Sequence, residues 1–239
     1  MKRRRYLTAH EVSGMMKAVR SGSNGARDYC LILLGFRHGM RISELLALRY
    51  QDMDLNAGRI SVQRLKNGFS TIHPLMPDEL EAIHIWSRVR STWRGAASTE
   101  ALFLSRKGGP MSRQQAYRII RGAGELAGTV TSTTPHMLRH ACGYELAERG
   151  ADTRLIQDYL GHRNIRHTVR YTASNAARFA GLWERENLCE VRGGPEEKLR
   201  LSLPRKTGQL GPNCPHHNSY TLCKAISFRH YSFRNALVA

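Results

Sequence analysis

Apolar residues recur three and four positions apart along most of the chain before residue 189, and punctuation bounds each such run. Thr8-Ala-His-Glu11 has capping-box spacing and opens a helix that runs toward Arg20. The cluster Ser21-Gly-Ser-Asn-Gly25 breaks it. A second helix is predicted from Ala26 to His38, with Tyr29, Leu33 and Phe36 on one face. Gly39 ends it, and a short helix carries Ile42 to Leu48. The period then changes. Ile60-Ser-Val-Gln63 and Ser70-Thr-Ile-His73 flank Asn67-Gly68, a strong short-range hairpin signal that sets Lys66 beside the turn. Helical spacing resumes from Pro77 to Val89. Ser112-Arg-Gln-Gln115 is a second capping box, for a helix toward Ala127, and Thr134 caps a helix with Pro135 at its first position, ending at Gly150. Asp152 caps the next, which Gly161 stops. Two short helices follow, His167 to Thr172 and Ser174 to Glu186. There is no internal repeat. The fold class is mainly α with a small antiparallel β-sheet.

The pattern fades near Cys189. Beyond it come Gly193-Gly-Pro195, Leu203-Pro204 and Gly211-Pro212, with weak periodicity and 8 Lys/Arg against 3 Asp/Glu. Residues 1–189 therefore read as one domain and 190–239 as a basic, flexible tail. Charge narrows the partners. Lys plus Arg total 37 and Asp plus Glu 19, a net +18, which points first to nucleic acid and second to an anionic membrane surface. No basic helix with a clean apolar face supports the second. No apolar run is long enough to span a bilayer, and none follows the basic Met1-Lys-Arg-Arg-Arg5, so a cytoplasmic protein is expected. The five cysteines are sparse, odd in number and without paired spacing, which fits a reducing compartment. Cys214, His216, His217 and Cys223 match no standard zinc-finger spacing, so no metal is expected there.

Three short motifs carry candidate chemistry. In His136-Met-Leu-Arg139-His140 the positions i, i+3 and i+4 share one helix face near an N-terminus, where free N–H groups suit a phosphate. Leu160-Gly161-His162 lies nine residues before Tyr171. In Gly39-Met-Arg41-Ile-Ser-Glu44-Leu45, a glycine-ended loop brings Arg41 to the mouth of a helix, and Glu44 either caps that helix or holds an arginine. Taken singly, each has a bland alternative: satisfied histidines, a packed tyrosine, a solvated ion pair worth little.

Taken in order, Gly-x-Arg41-x-x-Glu-Leu, Lys66 on a hairpin, His136-x-x-Arg139, Leu-Gly-His162 and Tyr171 resemble the tyrosine recombinase (phage integrase) family over about residues 5–187. Asp152-Thr-Arg-Leu-Ile-Gln-Asp-Tyr-Leu-Gly-His-Arg-Asn-Ile-Arg-His-Thr-Val169 and Tyr171-Thr-Ala-Ser-Asn175 look most like its short members that invert the type 1 fimbrial promoter switch. The resemblance implies the DNA breaking-rejoining fold and duplex DNA with inverted repeats as substrate. It also implies a homotetramer on that DNA and a 3′-phosphotyrosine intermediate. Arg41 and Arg139 suit the oxygens of a scissile phosphate through bidentate hydrogen bonds. Tyr171 is the expected nucleophile and His136 its expected base. By resemblance, Lys66 protonates the leaving 5′ oxygen and His162 binds a phosphate oxygen. Glu44 and His140 are expected to orient the arginines, with Cys142 and Tyr144 in the core. No acidic cluster offers to hold a metal, and no cofactor is expected. The family's usual N-terminal DNA-clamping domain has no room before Arg41, a shortness that the fimbrial-switch members share. Two alternatives stay open: a type IB topoisomerase, which relaxes one duplex with the same tyrosine chemistry, and a non-enzymatic DNA-binding regulator on the same fold.

Overall fold

The structure is a computed structural model that describes residues 6–64 and 69–173. Eight helices and three short strands are found among them: α1 (Ala9–Arg20), α2 (Gly25–Arg37), α3 (Ile42–Leu46), β1 (Met53–Asp54), β2 (Arg59–Val62), β3 (Thr71–Pro74), α4 (Pro77–Ser91), α5 (Arg113–Leu126), α6 (Pro135–Glu148), α7 (Thr153–Leu160) and α8 (Arg166–Thr172). The strands form an antiparallel sheet in the order β1-β2-β3, with Ile60 opposite both Met53 and His73. The fold class expected from the sequence is the one found. Lys66 and the Asn67-Gly68 turn lie outside the described residues. So do the segment Ser174–Glu186 and the tail 190–239.

Local chemistry explains most boundaries. The Thr8 box closes in both directions, Thr8 Oγ1 accepting from the Glu11 amide while the Glu11 carboxylate accepts from that of Thr8. Asp152 accepts from the amides of Arg154 and Leu155, and Gly161 ends α7 at a φ of 66°, where a side chain would be strained. Three expectations need correcting. Ser112 accepts from the Gln115 amide without the return bond, so its box is half formed. Thr134 occupies the N-cap ahead of Pro135 without a side-chain capping bond. Helix α3 stops at Leu46, two residues short, because the chain turns there to pair: the Leu48 carbonyl accepts from the Leu102 amide, and Arg49 bridges to Ala101.

Helix α2 is apolar nearly all round because it is buried on two sides. Cys30, Leu31, Leu33 and Leu34 join a cluster with the sheet residues Ile60 and Val62, Ile83 and Trp86 of α4, and Leu102 to Leu104. Ile32 and Phe36 join a second cluster with Val12 and Met15 of α1, Ile120 of α5, Leu138 and Cys142 of α6, Ile156 and Leu160 of α7, and Tyr171 of α8. Each such side chain contributes about 1.5–3 kcal/mol by leaving water. The second cluster matters for function, because α6 and α8 carry candidate site residues on the edge of a packed core and α7 ends one residue before Gly161-His162.

Candidate active site

Arg41, His136, Arg139, His140, His162 and Tyr171 line one cleft of about 180 Å³ together with His167 and Arg170. None of the eight is an acid. Of the six catalytic candidates, five converge here, and the sixth, Lys66, lies outside the described residues.

The five arrive from four places in the chain: Arg41 from the start of α3, His136 and Arg139 from α6, His162 from just past α7, and Tyr171 from α8. Arg41 is the N-cap residue of α3. Its amide donates to Glu44 Oε2 (2.9 Å) and its guanidinium to Glu44 Oε1 (2.6 Å), so Glu44 both caps the helix and holds the arginine. Arg139, on α6, donates one amino group to the Gly39 carbonyl and the other to that of Leu160 (2.7 Å). It is thereby clamped between the loop after α2 and the C-terminal end of α7, whose free carbonyls favour a cation. Burial, with the neighbouring charges of Arg64 and Arg41, lowers its pKa to about 10. His162 follows the Gly161 stop. Its carbonyl accepts from Gln157 Nε2 (2.9 Å), and its Nδ1 lies 2.9 Å from Thr168 Oγ1. Gly39 itself is required: its φ is 54°, and a Cβ there would lie 2.4 Å from Leu160 Cδ2.

Tyr171 is buried, with 2% of its surface exposed, and its ring rests on Gly143 of α6. A Cβ at 143 would come within 2.7 Å of that ring, so the glycine makes room for the tyrosine. The Tyr171 hydroxyl lies 2.9 Å from His140 Nδ1. The reading of the motifs assigns the base role to His136 and sets His140 behind the arginines. The ring within hydrogen-bonding reach of the Tyr171 hydroxyl is that of His140, and His136 sits edge-on against it with centroids 4.4 Å apart. Burial, then the neighbouring His136, Arg170 and Arg139, lower His140 to about 4, so the ring is neutral at pH 7 and Nδ1 can accept a proton in the tautomer protonated on Nε2. Burial likewise lowers His136, and lowers His162 to about 3. Burial raises Tyr171 to about 12, against the pull of Arg139 and Arg170. A phenol this reluctant to ionise needs a nearby acceptor.

Sequence reasoning missed Arg64, Arg170 and His167. Arg170 and His167 share α8 with Tyr171, so their place was open to reading from its helical period. Arg64 gives no local signal. It sits just past β2 as an ordinary hairpin arginine, yet its side chain is fully buried and it meets Glu44 Oε2 at 3.1 Å. Cys142 is buried as expected. Tyr144 is half-buried, stacked on Tyr6 and edge-on to Tyr171.

A basic cleft around one tyrosine, on a helical scaffold with a small antiparallel sheet, defines a class of enzymes that break and rejoin DNA through a phosphotyrosine. The chain belongs to the phage integrase family, whose model matches residues 5–178, and its fold is that of the tyrosine recombinases. It is 72% identical over 197 residues to the type 1 fimbriae regulatory protein FimE of Escherichia coli strain K12, covering 82% of this chain and all of that one. Identity to FimB of the same strain is 55% over 184 residues, covering 77% of this chain and 92% of the relative. Among solved structures, the XerA recombinase is similar with a TM-score of 0.64 and 27% identity, over 80% of this chain and 66% of that one. No helix among the described residues is long and apolar enough to cross a membrane.

Proposed function

We propose that this tyrosine recombinase cuts and rejoins duplex DNA through Tyr171 at inverted repeats, inverting a promoter-bearing segment that controls fimbrial genes. One observation carries the reading: the Tyr171 hydroxyl meets a neutral imidazole at the edge of a cleft lined by three arginines and four histidines and no acid. The two relatives named as type 1 fimbriae regulatory proteins support the choice of gene class.

In this reading Arg41 and Arg139 take the non-bridging oxygens of the scissile phosphate, where charge builds as the tyrosine attacks. His140 accepts the phenolic proton as the Tyr171 oxygen bonds to phosphorus. The bond to the 5′ oxygen breaks, and that oxygen leaves with a proton from Lys66, a role resting on the family resemblance. His162 and His136 supply further donors to the phosphate. Rejoining runs the same steps backward with a 5′ hydroxyl from the exchanged strand. The phosphotyrosine ester keeps the bond energy, so ligation consumes no nucleotide. Residues 1–189 form the catalytic unit in this account and the basic tail 190–239 lies outside it. The enzyme works in the cytoplasm as a homotetramer assembled on two DNA sites.

The test places candidate inverted repeats beside the expressed chain and sequences the junctions, then repeats the assay with Tyr171→Phe. The phenylalanine keeps the ring on Gly143 and removes the attacking oxygen. DNA binding should persist while inversion and covalent protein–DNA adducts disappear. Adducts formed by the phenylalanine variant would overturn the assignment. Relaxation of supercoiled DNA lacking the repeats, with no inverted junctions, would favour the topoisomerase alternative.

A further inference from the structure

The cleft draws on a layer of buried polar groups behind it, and Arg64 is the centre of that layer. Its guanidinium reaches four acceptors on three segments: the Glu44 carboxylate (3.1 Å), the carbonyls of His38 (3.1 Å) and Gly39 (3.4 Å), and that of Tyr159 (2.6 Å). It does not line the cleft. Two features tie it to the groups that do.

The first is charge. The buried Glu44 carboxylate faces three guanidiniums, Arg41 at 2.6 Å, Arg64 at 3.1 Å and Arg139 at 4.0 Å. A buried carboxylate without compensation draws the nearest cations onto itself. With Arg64 opposite it, three positive charges meet one negative charge, and the surplus belongs to the two arginines that line the cleft. The second feature is geometry. Arg64 and Arg139 grip the same two segments side by side. Both donate to the Gly39 carbonyl, and they take consecutive carbonyls at the end of α7, Tyr159 for Arg64 and Leu160 for Arg139. Gly161 leaves room for this, since a Cβ there would lie 2.8 Å from Arg64 Cγ.

We infer that Arg64 is a positioning residue for phosphoryl transfer: it neutralises Glu44 from behind and fixes the carbonyls that hold Arg139, so that Arg41 and Arg139 keep their charge and aim for the scissile phosphate. This rests on the proposed recombinase reading and adds to it a residue that touches no DNA.

The experiment measures single-turnover adduct formation on suicide duplexes built from the recombined repeat, with either a normal phosphate or a methylphosphonate at the scissile position. The methylphosphonate lacks one negative charge and so leans less on the arginines. Adduct formation by the unchanged protein on the phosphate duplex tests the recombinase reading itself, and the variants test Arg64. Arg64→Met should bind DNA as the unchanged protein does and cleave the phosphate slower by on the order of 10²-fold, as for a displaced catalytic group. Its loss on the methylphosphonate should be clearly smaller. A purely structural role would lower both rates alike, and equal losses, or none, would overturn the inference. Glu44→Gln combined with Arg64→Met keeps the test decisive if the single variant does not fold, because no uncompensated carboxylate remains. The double variant should cleave the phosphate within about tenfold of Glu44→Gln alone, because the charge role ends with the carboxylate and only the hold on the carbonyls is lost. A double variant slower than Glu44→Gln by 10²-fold or more would overturn it equally.

Discussion

On the cleft side of Glu44, Arg41 keeps 31% of its side-chain surface exposed; on the far side, Arg64 keeps none. The two arginines share one carboxylate and differ in everything else. Arg41 has donors to spare and shares the cleft with Arg139 and Arg170, whose charges add to its field. Arg64 spends its two amino groups on four protein acceptors, while its buried Nε meets none among the described residues. The same contrast separates the two histidine sets. His140 and His162 line the cleft, whereas His73 is buried behind it, its Nδ1 3.1 Å from that of His38, with His38 Nε2 3.0 Å from the Glu79 carboxylate. A phosphate-handling site thus needs two layers: one left electrostatically hungry, the other tied to protein acceptors so that the first stays in place.

Salt separates the layers most sharply. The cleft and the basic surface around it await a polyanion, so log K for DNA should fall by about 0.9 per phosphate neutralised for each unit of log salt, or roughly 10³- to 10⁵-fold between 50 and 200 mM for six to ten contacts. The buried ion pair is screened far less, so the melting temperature of the free protein should hardly move over the same range. Filter binding and thermal denaturation in parallel decide the matter. A flat binding curve would remove DNA as the partner, and a melting temperature that tracked salt as steeply would erase the distinction between the layers.

The next largest effect concerns the two neighbouring histidines. Replacing His140 with Phe keeps a ring against Tyr171 and removes the acceptor. Cleavage should slow by about 10²- to 10⁴-fold, the usual worth of a positioned acid or base, with DNA binding retained. The same change at His136 should slow cleavage less, since that ring packs on His140 while His140 meets the Tyr171 hydroxyl. If His136→Phe proves the more damaging of the two in single-turnover adduct formation, the proton role returns to His136.

These layers were not equally legible in the sequence. Every described cleft residue foreseen by motif sits at a helix end or on a helix face, where local spacing dictates direction. His136, Arg139 and His140 share a face because the helical period puts them there, and His162 follows a glycine stop that any reader can mark. Which histidine meets Tyr171 was not legible, because it depends on how α8 packs against α6 over 31 residues of separation. The buried layer was invisible for the same reason in stronger form. Arg64 joins carbonyls 25 to 95 residues away, and nothing within its own hairpin announces that its side chain turns inward. The sheet pairing of β2 and β3 followed from alternation and a turn signal. The two-residue β1 was too short to leave a pattern.

The smallest effect is on stability, and it divides the histidines between the layers. Burial foremost lowers His73 to about 3, His162 to about 3 and His140 to about 4, against an ordinary value near 6.5. Each is thus held neutral by folding, while the unfolded chain takes up its proton as pH drops below about 6.5. The unfolded state binds more protons over that interval, so the stabilisation is whole above pH 6.5 and is lost as pH falls toward the folded values of 3 to 4. The melting temperature should fall by roughly 5 °C or more between pH 7 and pH 5, given the usual response of domains this size. Bound DNA sharpens the test. A phosphate in the cleft favours the protonated forms of His140 and His162, raising their folded values toward 6.5 and flattening their share of the slope. It leaves His73 untouched behind the wall. The slope should therefore shrink in the DNA complex without vanishing, and His73→Asn should remove part of what remains. A slope that DNA abolishes altogether would put His73 in the cleft's electrostatic reach. A slope indifferent to DNA would mean that the phosphate does not sit beside His140 and His162.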